Sequence, residues 1–128
     1  MMKIYLAART VAFVRPMSRY AYRKRIAKLF GTPLETDVDV CHIIAKKNGG
    51  ADHPDNYDFL RGRTWNRMVG HSFDDVNCFL AGREKCQKAV DVSKTLNEYT
   101  GPSADELYES GELAMKRAFK VLSENSKP

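Results

Sequence analysis

Between residues 39 and 67 the chain concentrates groups able to do chemistry: Asp39-Val40-Cys41-His42-Ile43-Ile44, then Asn48-Gly49-Gly50, His53-Pro54-Asp55-Asn56, and Trp65-Asn66-Arg67. His42 lies in a β-branched run suited to burial, where an imidazole needs partners for both ring nitrogens or a chemical task. The task that fits is general base. An imidazole with an ordinary pKa of about 6.5 can take a proton from water at neutral pH if its other nitrogen donates to a carbonyl that fixes tautomer and direction. Asp39 and Asn66 offer hard oxygen ligands suited to Mg²⁺ or Mn²⁺, and a divalent ion neutralises the charge that builds up in phosphodiester cleavage. Arg61, Arg63 and Arg67 surround Asn66 and could clamp phosphate oxygens. On the residues alone, a lone His in an apolar strand such as His42 is more often a hydrogen-bonded core residue, Asn66 could merely anchor a helix start, and Gly49-Gly50 could be an ordinary turn.

The surrounding elements must position these groups. Residues 38 to 44 are rich in β-branched side chains and read as a strand, with Asp39 and Cys41 on one face and Val40 and His42 on the other. Lys47-Asn48-Gly49-Gly50 is a turn, because Asn and Gly tolerate positive φ. A polar loop from Ala51 to Asn56 leads into Tyr57 to Leu60, which could return beside the first strand, and Thr64 to Val69 reads as a short helix. Upstream, Lys3 to Val14 fits either a short helix or a strand. Ser18 can cap a helix over Arg19 to Phe30 with an apolar stripe of Tyr22, Ile26, Leu29 and Phe30, ended by Gly31 and Pro33. Downstream, Ser72 with Asp75 has capping-box form and precedes Phe73, Val76, Phe79 and Leu80 at helical spacing. A second helix spans Glu84 to Tyr99 with Cys86, Ala89, Val90, Ser93 and Leu96. A third opens at a Ser103/Glu106 capping box and runs through Leu107, Ala114, Ala118, Val121 and Leu122, with Gly111 as a candidate interruption.

With 128 residues, the chain has room for one domain with helical extensions and not for a large multidomain enzyme. Its charge is unevenly placed. Residues 1 to 34 hold eight basic groups and no acidic one, so they carry +8 of a whole-chain +5 and leave −3 for the other 94 residues. Such a block steers a protein toward a polyanion, nucleic acid before an anionic membrane, although a solvated helix face is the plain alternative. Three cysteines, Cys41, Cys78 and Cys86, form no close-spaced pair; they argue against a disulfide scaffold or structural zinc and favour a reducing, intracellular setting. No apolar run suits a membrane span, and none suits a signal peptide.

The stretch from Asp39 to Arg67 resembles the ββα-metal nucleases, the broad H-N-H superfamily. Their His-Ile-Ile, Gly-Gly and helical Asn-Arg are met by His42-Ile43-Ile44, Gly49-Gly50 and Asn66-Arg67, and their Asp-x-x-Asn is answered more loosely by Asp52, four residues, or Asp55, one residue, before Asn56. The steps of 14 residues from His42 to Asn56 and 10 more to Asn66 are similar to those of the nuclease domain of this type in CRISPR effectors. The resemblance implies His42 as general base, Asn66 as metal ligand on the helix, and Asn56 as the residue holding the loop that aims His42. Cys41 departs from the Asp or His that most of these enzymes carry before the base, and a thiol is a poor Mg²⁺ ligand. Asp39 stands three residues before the base, as does the Asp of Asp-Arg-Gly-His in the non-specific DNA/RNA endonuclease branch, and is preferred as the carboxylate at the metal.

The expected fold class is therefore α+β, a small ββα-metal centre surrounded by helices, with a basic helical arm over residues 1–34 and a nuclease-like domain over 35–128 in one unit. The expected partner is nucleic acid, DNA foremost. It would be bound along the backbone by Arg19, Arg23, Lys24, Arg25 and Lys28 of the arm with Lys46, Lys47, Arg61, Arg63 and Arg67, contacts that position phosphate without reading bases. The alternatives are a catalytically inactive nucleic-acid-binding protein of the same fold, or a helical protein whose basic arm docks an acidic partner. Oligomeric state is left open, a homodimer included. His53 is expected to shape its loop, and His71 to be an exposed loop residue.

Overall fold

Ser18 starts the first helix. In the computed structural model, which describes residues 14–31, 38–62 and 73–125 (backbone only at 38 and 59–62), its hydroxyl accepts the Ala21 N–H at 3.1 Å and opens α1, Arg19–Phe30. Gly31 ends the helix in the left-handed region at φ 74°. Of the expected apolar stripe, Ile26 is buried and Tyr22 stacks tilted on Tyr57 with ring centroids 5.1 Å apart, whereas Leu29 and Phe30 are exposed. A sheet of two strands covers only part of a twelve-residue helix, so the last turn leaves it. The segment Lys3 to Phe13 and the Thr64 to Val69 helix lie outside the described residues.

β1 (Val38–His42) pairs antiparallel with β2 (Tyr57–Gly62) in a two-stranded sheet. The register runs from Asp39 opposite Arg61 to Cys41 opposite Asp58, so two steps along β1 face three along β2. The extra residue of this bulge lies in β2, and Val40 and Cys41, though adjacent on β1, are both buried, so that strand is covered on both faces. The strand also ends earlier than residue 44. Ile43 and Ile44 leave the ladder and sink, fully buried, into a core formed with Cys78, Cys86, Ala89, Val90, Tyr99, Ala104 and Leu107. His42 is thus the last strand residue before an apolar anchor.

Three helices supply the rest of that core: α2 (Asp74–Ala81), α3 (Arg83–Asn97) and α4 (Ala104–Asn125). In α2 the buried residues are Val76, Asn77 and Cys78, while Phe73 and Leu80 of the expected stripe are exposed. Three consecutive buried residues mean that the helix is covered on more than one side, by the loop after β1 and by α4. Ser72 lies outside the described residues; the Asp75 carboxylate accepts the Val76 N–H at 2.7 Å and the Ser110 hydroxyl at 2.8 Å. α3 buries Cys86, Ala89, Val90 and Ser93 at the expected spacing, together with Val92. Tyr99 follows it into the core and donates its hydroxyl to the Pro102 carbonyl at 2.8 Å; burial pushes its phenol up to about 12.

The Ser103 hydroxyl accepts the Glu106 N–H at 3.2 Å and starts α4. Gly111 does not interrupt that helix. It is the point where α2 crosses: a Cβ there would stand 1.9 Å from the Asp75 carbonyl oxygen, so only hydrogen fits. All three cysteines are buried free thiols. No helix among the described residues is long and apolar enough to cross a membrane.

Candidate functional site

The loop that follows His42 is tied down at almost every residue. Asn56, fully buried, uses its side-chain amide three times: it accepts the Ile44 N–H at 2.9 Å and donates to the carbonyls of Ile44 and Ala51, both at 2.9 Å. Its own backbone carbonyl accepts the Ile43 N–H at 2.8 Å. The Asp74 carboxylate, at the start of α2, accepts the Ala45 N–H at 3.1 Å and the Asn48 amide at 2.8 Å. From α3, the Ser93 hydroxyl accepts the Ala51 N–H at 3.1 Å and the Asn97 amide donates to the Gly50 carbonyl at 2.9 Å. Gly49 turns the chain at φ 96°, and Gly50 leaves no room for a side chain, since a Cβ would stand 1.7 Å from the Ile44 carbonyl oxygen. The Gly-Gly pair thus answers two different demands, a left-handed turn and a close backbone crossing.

This frame delivers Asp52 to His42. The imidazole Nε2 and Asp52 Oδ1 are 2.8 Å apart, the second carboxylate oxygen pairs with Lys46 Nζ at 3.0 Å, and the Tyr57 hydroxyl lies 3.4 Å from Oδ1. The Tyr57 hydroxyl donates to the Met17 carbonyl, its ring stands edge-on to the imidazole at 5.1 Å, and the Met17 N–H donates to the Asp52 carbonyl at 2.7 Å. The segment leading into α1 is therefore part of the site wall. Behind the imidazole, the Asn77 amide donates to the His42 carbonyl at 3.5 Å.

Burial pushes the His42 imidazole below its usual value of 6.5; the Asp52 hydrogen bond opposes this and the nearby Arg19 charge adds to it. Burial disfavours the Asp52 carboxylate, but hydrogen bonds from His42 and Lys46 outweigh it and hold the group below the usual carboxylate range. At neutral pH the pair is thus a neutral imidazole facing a carboxylate, which requires the proton on Nε2 and leaves the lone pair on Nδ1. Burial, with the Asp52 charge behind it, drives the Tyr57 phenol up and keeps it a donor.

The other expected site residues are distributed as follows. Asp39 lines a shallow depression with Arg19, Tyr20, Arg23 and Val40. The Arg19 charge also acts on His42. Cys41 is buried, its thiol donates to the His42 carbonyl at 3.3 Å, and it does not line that depression. Asn66, Arg63, Arg67 and His71 lie outside the described residues, and Arg61 stands opposite Asp39 in the sheet register. His53 caps the 3-10 turn Pro54–Asn56, its Nδ1 accepting the Asp55 N–H at 3.0 Å. Among the described residues, no group of three or more His, Cys, Asp or Glu side chains could hold a metal ion.

Comparison with protein-family models, with curated proteins and with solved structures returns no match. The site therefore stands on its own geometry. Within the basic arm, Arg19 and Arg23 line the depression with Asp39, whereas Lys24 and Lys28 are exposed and Lys24 lies 4.7 Å over the Tyr20 ring, which lines the same depression. Lys46 is exposed but already paired with Asp52, and Lys47 is exposed. The residue that sequence reasoning underweighted is Asp52, one of two aspartates preceding Asn56. Nothing in its residue type separates it from Asp55; the path of the loop past His42 does.

Proposed function

We propose that the chain is a metal-dependent endonuclease that hydrolyses phosphodiester bonds of nucleic acid, built on a ββα-metal centre with His42 as general base. The observation that carries this reading is the 2.8 Å contact between His42 Nε2 and Asp52 Oδ1, held in a loop that Asn56 pins to the strand carrying the base. A core histidine needs only partners; this one has its tautomer set by a carboxylate and a depressed proton affinity that keeps Nδ1 unprotonated at neutral pH.

In the reaction, a water gives its proton to His42 Nδ1 as its oxygen bonds to phosphorus. The bond to the leaving 3′ oxygen breaks, and that oxygen takes a proton from solvent. Asp52 holds the ring and stabilises the imidazolium that forms. Asp39 and Asn66, both hard oxygen donors, are the residues that would hold Mg²⁺; Cys41, buried and soft, would not. The ion, when bound, supplies positive charge to the phosphate and leaving oxygens. Arg19, which lines the depression with Asp39 and whose charge acts on His42, would grip a substrate phosphate, and Arg23 would extend that basic edge. Lys24, Arg25 and Lys28 add unspecific backbone attraction.

The test compares native protein with His42→Ala on plasmid DNA and on RNA in Mg²⁺, Mn²⁺ and EDTA, with binding followed by fluorescence anisotropy. Cleavage that requires the metal and disappears in His42→Ala, while affinity stays within about twofold, is the expected result; the lost general base accounts for roughly 10²- to 10⁴-fold in rate. Cleavage unaffected by the substitution removes His42 as base. Salt-dependent binding by the native chain without cleavage in either metal identifies a binding module on this fold.

A further inference from the structure

The last helix continues past the body it packs on. Leu107 and Gly111 of α4 are buried, whereas every residue from Lys116 to Asn125 is exposed, including Phe119 at 65 %, Val121 at 54 % and Leu122 at 64 %. Ten residues at 1.5 Å each make a projection of about 15 Å. Its residues are sorted by face. Ala114, Met115, Ala118, Val121 and Leu122 continue the side that Leu107 and Gly111 bury, and Lys116, Lys120 and Ser123 lie opposite. Among the described residues nothing covers this apolar stripe.

We infer that this stripe is the contact surface for a second copy of the chain, joined as an antiparallel helix pair over residues 114–125. The register argues for this occupant. Gly111, Ala114, Ala118 and Val121 recur at the alternating steps of three and four of a helix seam. In an isologous pair every contact occurs twice, residue i on j and j on i. Setting Ala118 against Val121 of the second copy also sets Ala114 against Asn125. The same register brings Met115 against Leu122 on one edge of the seam and Arg117 against Glu124 on the other, each reciprocally. Arg117 and Glu124 are seven residues apart on one edge of their own helix, too far apart to pair with each other, and both are exposed. Opposite charges therefore meet twice across the seam only in the antiparallel arrangement. The small residues at the centre allow close approach of the two helices, and the bodies lie at opposite ends of the overlap. This reading is independent of the proposed chemistry, although a dimer would carry two copies of the His42 site.

About three turns of helix bury less than the roughly 1,200 Å² typical of stable complexes, so the dissociation constant should be on the order of 0.1 mM. Sedimentation equilibrium on the whole chain, up to about 1 mM, is the test. The native chain should pass from one-chain to two-chain mass, Leu122→Asp should lose the dimer, and Arg117→Glu should weaken it about fivefold through two repulsive pairs. Arg117→Glu/Glu124→Arg should restore it, and an equimolar mixture of the two single charge variants should form a mixed dimer. Should Leu122→Asp lose helix by circular dichroism, the charge exchange decides alone, since those positions are exposed. A native chain monomeric throughout, or a dimer indifferent to Leu122→Asp or to the charge exchange, overturns the proposal. So does a monomer that co-sediments with anionic phospholipid vesicles through Leu122, which would assign the stripe to a membrane surface.

Discussion

Asn56→Ala should be the most damaging single substitution in the centre of the protein, and its cost can be worked from the contacts. The side chain is fully buried and serves three backbone groups, the Ile44 N–H and the carbonyls of Ile44 and Ala51, each at 2.9 Å. Truncation leaves all three buried without that partner, and each such group costs about 1–3 kcal/mol. The penalties do not add fully, because a water can enter the space vacated by the amide and satisfy two of the three. The expected loss is about 3–5 kcal/mol, a large share of the total stability of a small domain. Equilibrium urea unfolding measures it as a fall in midpoint with unchanged slope. Asn56→Asp sharpens the test: it keeps the acceptor for Ile44 N–H but loses both donations and sets a carboxylate against two carbonyl oxygens, so it should be no better than alanine. A loss below about 1 kcal/mol in Asn56→Ala would refute the view that this amide holds the loop; so would an Asn56→Asp protein as stable as the native one.

Two further predictions concern titration and packing. An NMR titration should place the His42 pKa below 6.5, and Asp52→Asn should lower it again, because the carboxylate is what raises it against burial and Arg19. Since the folded-state value is depressed, His42's contribution to stability is complete above about 6.5 and is lost as pH falls below it. Asp52, also depressed, contributes above its own unfolded value and loses that contribution at lower pH. A His42 pKa at or above 6.5 would contradict the burial argument. Gly111→Ala should lower the melting temperature even though alanine favours helix by about 1 kcal/mol, because the added methyl meets the Asp75 carbonyl and overpacking costs about 1–3 kcal/mol or more. A melting temperature equal to or above the native one would show that the helices separate freely there.

Local chemistry was readable from the residues alone wherever short-range geometry governs. Ser18 before an apolar repeat and Ser103 before Glu106 mark helix starts because a hydroxyl two or three residues from a free N–H has one good use. Gly49-Gly50 after a β-branched run marks a turn, and the return of Tyr57 beside the first strand follows from its brevity. The resemblance also directed attention to Asn56, whose amide joins two stretches twelve residues apart. Tertiary packing decided what spacing could not. The strand stops at His42 because Ile43 and Ile44 are worth more in the helical core than on a sheet of two strands, and Val40 and Cys41, neighbours on one strand, are both buried because the strand is covered on both faces. Leu29, Phe30, Phe73 and Leu80 have core composition yet lie exposed, since a helix buries only the face for which a partner surface exists. Above all, Asp52 and Asp55 are equivalent in composition and differ only in where the loop carries them. One meets the imidazole because Gly50, Asn56, Ser93 and Asn97 hold the backbone in place, and that is a property of the whole fold.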